Sequence, residues 1–518
     1  MGPVKASRLF PAAAATAAAA VVLTRWPFRA QYLFSWDSAN YALAMQRIDI
    51  SAHRPHPPGY LGYVLTARGM DALVDDANAA LVLWNIVAAA LVAVIVLRIA
   101  FDIAAHQRRP GTFVSAAGSI VVTSPLLWFY SDVAEIYPSE LLVTLVIAFC
   151  AWRTLRGDRR ALFELALAIP VAASFKLTAA VFTLPLAAWA WWRASPHERV
   201  RAGVLLAAAS IGVAVFFLAS APGLVEIIWN QFTTSTSASR VVAAPEPDFL
   251  DRLSRNARDT LTAAVAALGI GNIVALIVWG VRDRKLPVGI DRTTALLWSA
   301  PFILFCVLVH IGKPGYILPV LPLATLILAG FYARLRRAVA VTLVVVQAAA
   351  NIAQFVVFAP LPDSLTGGRR PYREKTRVQR IASDVQLLAF PTASVIRETD
   401  ESVDQVLATV RRVCPTMNPI VIAALDPVDA RRLMWYLPAA PIVHIENRSV
   451  VAIARNGVFE AVRPVTEWIA ACPVLWLSAA DKPREFDIPE YAAPEAGVGF
   501  IMDARRVRVM PSAILFER

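Results

Sequence analysis

Between Leu9 and Phe358 the sequence is a succession of long apolar runs separated by short basic clusters. A helix needs about 20 apolar residues to cross the hydrocarbon of a bilayer, and on that measure the pattern predicts roughly eleven spans. The clearest are Trp84 to Phe101, Val204 to Ala221, Leu261 to Val281, Ala295 to Ile311, Ile317 to Tyr332 and Val339 to Phe358. Phe113 to Tyr130 stands close to Leu141 to Trp152, and Leu162 to Phe175 close to Ala179 to Trp192.

Beyond Phe358 the pattern changes. Prolines, glycines and the basic run from Arg369 to Arg380 make residues 359–375 a linker. Short strand-like runs follow at Pro419 to Leu425, Ile442 to Ile445, Val450 to Ala454, Val474 to Leu477 and Gly499 to Met502. Helical spacing separates them at Val403 to Val413 and Val428 to Tyr436, so 376–518 is expected to be an α/β domain. The expected architecture is a polytopic α-helical membrane protein with a C-terminal α/β soluble domain: a membrane domain over 1–358, with a long first external loop at 26–78, then the linker and the soluble domain.

Composition agrees, since 58% hydrophobic with 17% charged residues is too apolar for an ordinary soluble chain. Charge adds an orientation, because Lys and Arg collect in short cytoplasmic loops. Lys5 and Arg8, Arg108 and Arg109, Arg153 to Arg160, Arg193 to Arg201, Arg282 to Lys285 with Arg292, and Arg334 to Arg337 fall on one side, which puts the N-terminus in the cytoplasm and the last domain outside. These clusters account for the net charge of +12, and no nucleic-acid partner is expected. The reading places the protein in a bacterial plasma membrane. A cleaved signal peptide competes for Leu9 to Leu23; retention is preferred because the following loop carries suggestive chemistry and is better held at both ends. Of four cysteines, Cys150 and Cys306 fall in spans; Cys414 and Cys472 lie in the outer domain, where free buried thiols are favoured over a disulfide.

Three polar segments at the expected outer face stand out, since a membrane protein retains such residues at a cost. The first runs from Trp36-Asp37-Ser38 through Asp49, His53 and Arg54 to His56-Pro57-Pro58-Gly59-Tyr60. Asp37 opens a short helix expected to lie on the membrane surface, and its carboxylate can accept a proton from a hydroxyl, hold a divalent cation (Mg or Mn), or cap that helix. The second is Ser131-Asp132-Val133-Ala134-Glu135-Ile136-Tyr137, where one helical turn would bring both acids to one side; the alternative is ordinary solvated loop charge. The third, His310 to Pro319, joins Lys313 to Tyr316 at a turn. Lys176 is a similar lone cation, and either Lys can simply snorkel to water.

Asp37-Ser38 before a short helix, then His56-Pro57-Pro58-Gly59-Tyr60, with Ala134-Glu135-Ile136-Tyr137 later, resembles the GT-C superfamily of membrane glycosyltransferases, nearest its protein O-mannosyltransferase-like and family 39 branches. Lys313-Pro314-Gly315-Tyr316-Ile317-Leu318-Pro319 is similar to a segment those enzymes carry near the donor phosphate. The resemblance implies an inverting transfer of a sugar from a polyprenyl-phosphate donor to a hydroxyl of an external glycan, lipid or protein. It implies Asp37 as base, Asp132 or Glu135 as a second acid, and Lys176, Lys313 and Tyr316 as phosphate contacts, with Arg54, His56 and Tyr60 in the same pocket. Many relatives have two adjacent acids in the first loop, whereas Ser38 follows Asp37 here, so metal dependence stays open. A transporter or flippase of a lipid-linked substrate is the alternative; it would place charge pairs at mid-bilayer and show inverted repeats, and neither is visible in the sequence.

Overall fold

The computed structural model describes residues 3–220 and 249–366 save Pro58, Val288, His310, Ile311 and Pro360, then 375–415, 420–423, 428–446, 449–455, 458–460, 474–477, 493–495, 499–503, 507–510 and 513–516. Its helices are α1 (Pro3–Arg25), α2 (Trp36–Gln46), α3 (Leu61–Val74), α4 (Ala77–Ala104), α5 (Pro110–Val122), α6 (Pro125–Asp132), α7 (Tyr137–Leu155), α8 (Arg159–Phe175) and α9 (Leu177–Arg193). They continue as α10 (Pro196–Ser220), α11 (Phe249–Leu268), α12 (Ile270–Val278), α13 (Arg292–Leu304), α14 (Leu321–Arg334), α15 (Arg337–Val357), α16 (Arg377–Ala389), α17 (Ala393–Val413) and α18 (Ala430–Tyr436). The chain divides into two compact units, one of residues 1–29 and 57–395, the other of 30–56 and 396–518.

The first unit is an integral membrane bundle. Seven helices among the described residues are long and apolar enough to cross a bilayer, and nine if α5 with α6 and α11 with α12 each count as one bent span. The eleven expected spans are these together with α8 and α9, whose seventeen residues each are shorter than the others. In α10 only Ala202 is buried, so the flank of Val204, Ile211, Val215 and Phe216 lies open, as suits hydrocarbon and not water. Helix α4 is the opposite case: Leu81, Ala88, Val92, Val96 and Ala100 are closed off on its inner side, which makes it a central post.

Both bends have local causes. Between α5 and α6 Pro125 cannot donate an amide, and Ser124 caps α6 at Leu127 N while its hydroxyl donates to the carbonyl of Ala267. At the 105° bend after α11, Gly269 takes φ +83, and a Cβ there would meet Asn351 Oδ1 at 2.0 Å. Asn351 Nδ2 in turn donates to the carbonyl of Leu268 at 3.4 Å, satisfying a helix end that the break exposes.

The second unit is an α/β fold whose seven-stranded sheet has the order β4-β3-β2-β1-β5-β7-β6. Strands β1 (Ile420–Ala423), β2 (Ile442–Glu446) and β5 (Val474–Leu477) are parallel; β3 (Ser449–Arg455), β4 (Val458–Glu460), β6 (Ala493–Glu495) and β7 (Gly499–Met502) run antiparallel at the edges. A separate hairpin pairs 507–510 with 513–516. Val403, Val406, Leu407 and Val410 recur at helical spacing on α17 and close over Val421, Leu433, Ile442 and Leu475. Cys414, expected to be a free thiol, is disulfide-bonded; Cys472 lies outside the described residues, as does most of the segment expected to be a linker.

Candidate functional site

In the membrane unit the polar residues gather where α6, α7, α9 and the 3-10 helix Pro314–Val320 meet. Helix α6 ends at Asp132, Val133 is extended, and α7 begins at Tyr137. Asp132 and Glu135 therefore do not share a helical turn, contrary to the sequence expectation, and they take different partners. Asp132 is fully buried beside Arg25, whose guanidinium stacks 4.4 Å over Trp128 and donates to the carbonyl of Val122. Glu135, 2% exposed, receives Lys313 Nζ at 2.7 Å. Its backbone carbonyl accepts from Asn85 Nδ2 at 2.7 Å, and the same amide reaches Val133 O at 2.8 Å and Tyr63 Oη at 3.2 Å.

Lys176 is the residue at which α8 stops and α9 starts. It does not snorkel. Its ammonium turns inward to Glu140 Oε2 at 2.6 Å, with the Tyr316 ring 4.1 Å and the Tyr137 ring 4.8 Å away. Tyr130, Tyr137 and Tyr316 form a continuous aromatic wall, with ring centres 4.6 and 5.5 Å apart. Gly315 fits this wall because it has no Cβ, which would stand 2.2 to 2.6 Å from the Tyr137 ring, and its amide donates to Tyr130 Oη. His310 and Ile311 of the same segment lie outside the described residues. Tyr60 takes φ 40 at the start of α3. Sequence reasoning missed Glu140, Arg25, Asn85 and Tyr130; for Asn85 and Tyr130 a polar side chain inside an apolar run was the available signal, whereas Arg25 and Glu140 lie just outside such runs.

In the second unit Asp37 stands in the first turn of α2, but Ser35 is the cap, forming a capping box with Ser38. Asp37 Oδ1 lies 3.7 Å from His56 Nδ1, both side chains partly exposed, at 30% and 24%. The His56 ring packs 5.8 Å from that of Tyr41. Ser38 to Ala44 of helix α2 are buried, and the helix packs on α18.

Arg431 of α18 explains how the loop is held. Its Nε donates to Asn40 Oδ1, and Nη2 donates to the carbonyls of Ala52 and His53. Burial pushes this guanidinium down to about 10, with Arg54 adding to the effect and Asp429 opposing it. Further up the loop, Asp400 accepts from the amides of Gln31 and Tyr32, Asp404 from Tyr32 Oη, and Tyr436 Oη from the amide of Leu33. Asp49 and Arg54 bridge through their backbones, and burial holds the Arg54 guanidinium below its ordinary value, against the pull of Asp49. Pro58 lies outside the described residues. Among the described residues no three His, Cys, Asp or Glu side chains gather, and Asp37 has His56 beside it.

This bundle of bent and straight spans, and the α/β unit into which residues 30–56 fold, share their fold with solved crystal structures of one membrane enzyme. The crystal structure of ArnT from Cupriavidus metallidurans in the apo state is similar over 86% of this chain and 86% of that one, at TM-score 0.51 and 14% identity. The same protein bound to undecaprenyl phosphate is similar over 85% of this chain and 86% of that one, at TM-score 0.52 and 14% identity. The Archaeoglobus fulgidus oligosaccharyltransferase matches at TM-score 0.38 and 15% identity, over 79% of this chain and 60% of that one, too loosely to add to the comparison. No protein-family profile and no curated protein sequence matches the chain.

Proposed function

We propose that the protein is an inverting glycosyltransferase that moves a sugar from a polyprenyl-phosphate donor to a hydroxyl on an extracytoplasmic glycan, lipid or protein. The observation that carries this reading is the shared fold with ArnT, a protein solved with undecaprenyl phosphate bound, over some 85% of the chain. In the proposed reaction the acceptor oxygen attacks the anomeric carbon, the carbon–oxygen bond to phosphate breaks, and polyprenyl phosphate leaves. Asp37 takes the acceptor proton, and His56 beside it orients the carboxylate. Lys313 and Tyr316 meet the donor phosphate, Lys176 supports the aromatic wall they stand on, and Glu135 orients Lys313. Asp132, buried in the electrostatic reach of Arg25, braces the end of α6.

The orientation follows the basic clusters, with the N-terminus in the cytoplasm of a bacterial cell and the α/β unit outside. A disulfide at Cys414 supports that side, since such bonds persist in oxidising compartments. Mass spectrometry of cell-envelope glycans with and without the protein tests the function: loss of one sugar substituent is expected. An unchanged glycan profile, together with no turnover of polyprenyl-phosphate sugars by the purified protein, would overturn it.

A further inference from the structure

At the end of the membrane unit where the basic clusters lie, a cleft of about 550 Å³ opens between α5 and α15. It is lined by Arg109, Thr112 and Ser115 from one side, and by Arg337, Val341, Val344 and Val345 from the other. Several other arginines of this face are neutralised by the protein itself: Arg98 pairs with Asp102, Arg153 with Asp158 and Glu164, and Arg334 with Asp283. Arg109 and Arg337 differ. Arg109 Nη1 is closed off from solvent with no hydrogen-bond partner, and neither guanidinium has a carboxylate among the described residues. Two uncompensated arginines on neighbouring helices repel each other unless an anion lies between them.

The rest of the cleft defines the anion. Arg109 precedes Pro110 at the start of α5 without a side-chain cap, so the amides of Gly111 and Thr112 have no partner within the helix. Thr112 and Ser115, one turn apart, add hydroxyls on that side. Val341, Val344 and Val345 share one face of α15 and run away from the arginines along the span, with Val341 and Val345 open. A headgroup phosphate would find two cations and free amides, and a hydrocarbon chain would find an apolar wall.

We propose that this cleft binds an anionic phospholipid of the cytoplasmic leaflet, its phosphodiester held by Arg109 and Arg337 and one acyl chain laid along the valines of α15. Only the leaflet rests on the orientation given above; the binding itself is independent of catalysis. The test is native mass spectrometry of the full-length protein in detergent with added phosphatidylglycerol or phosphatidylcholine. The wild type is expected to retain phosphatidylglycerol about tenfold better than R109Q/R337Q, from the loss of two charge-assisted contacts, and to retain phosphatidylcholine poorly. Val344→Trp, which fills the apolar wall and keeps both arginines, should also lose phosphatidylglycerol. Equal retention by wild type and R109Q/R337Q, equal retention of the two lipids, full retention by Val344→Trp, or displacement of the lipid by equimolar inorganic phosphate would each overturn the proposal.

Discussion

Lys176 Nζ stands 2.6 Å from Glu140 Oε2, and both side chains are closed off, at 5% and 1% exposure. The ammonium is therefore already matched by a carboxylate and by two tyrosine faces, and its first role is to hold α7 and α9 to the Pro314–Val320 turn. Removing one partner strands a charge in a low-dielectric interior. Lys176→Met or Glu140→Gln is expected to lower stability by about 3–5 kcal/mol, while the double replacement Lys176→Met with Glu140→Leu recovers most of it. Thermal unfolding in detergent checks this; single variants that melt with the wild type would show that the pair is not a brace.

The capping of α2 by Ser35 and Ser38 separates the structural and chemical roles that the sequence left tied together at Asp37. Asp37→Asn should cost under about 0.5 kcal/mol, since it leaves the cap and the helix intact, yet abolish transfer because an amide cannot take the acceptor proton. Ser35→Ala should do the reverse: about 1 kcal/mol of local stability lost with activity reduced but present. Turnover of a purified lipid-linked donor, read beside the melting curves, separates the two, and full activity in Asp37→Asn would remove it from the mechanism.

A pH dependence follows from His53, held below its ordinary value of 6.5 by burial and then by Arg431, which also binds the His53 carbonyl. Because the folded loop resists the proton that the unfolded loop accepts, the stabilisation is present above about 6.5 and is lost as pH falls through the lower folded value. Intrinsic-rate-corrected hydrogen exchange over residues 36–53 should quicken between about pH 7 and pH 5. His53→Asn, which tolerates the left-handed φ of 55 found there, should flatten that dependence. An equally steep profile in the variant would assign it to another group.

The spans and most strands of the second unit were legible because each is a local pattern: β2, β5 and β7 match the expected apolar runs to within a residue. The separation of Asp132 from Glu135 was not, because it depends on where α6 stops, and hydropathy does not mark helix ends. Glu140 was overlooked for a related reason: it sits one residue before an apolar run and gains meaning only through Lys176, thirty-six positions on. The folding of residues 30–56 with 396–518 has no local signature at all. It rests on single long-range contacts such as Arg431 to Asn40, which no periodicity encodes.

Gly315 offers a steric test of the aromatic wall. A methyl group there would stand within about 2.6 Å of three Tyr137 ring atoms, so the ring or the turn must move. Gly315→Ala is expected to lower stability by about 1–3 kcal/mol, as overpacking does, and to depress turnover by displacing Tyr316. Pairing it with Tyr137→Leu, which vacates the ring's space, should restore the melting temperature but not the turnover. Restoration of both would show that the wall is packing alone.

Lys313 is the cation most able to meet a donor phosphate, because it is one-third exposed where Lys176 is sealed, and because Glu135 fixes it from beneath at 2.7 Å. Each residue makes a separate claim on the kinetics. If Lys313 grips the phosphate, Lys313→Gln loses a charge-assisted hydrogen bond and should raise the donor concentration needed for half-maximal rate by roughly 1–3 kcal/mol, about 5- to 150-fold. Acceptor preference should not change. Glu135→Gln should weaken donor use less, since the ammonium persists but is no longer held in place, and Lys313→Arg should retain part of the binding through its charge. Lys176→Gln, by contrast, should show its effect in the melting curve before it shows in donor dependence. Steady-state kinetics with a purified polyprenyl-phosphate sugar decide between the two lysines: wild-type donor dependence in Lys313→Gln would move the phosphate contact elsewhere, with Arg54 and His56 of the first loop the next residues to replace.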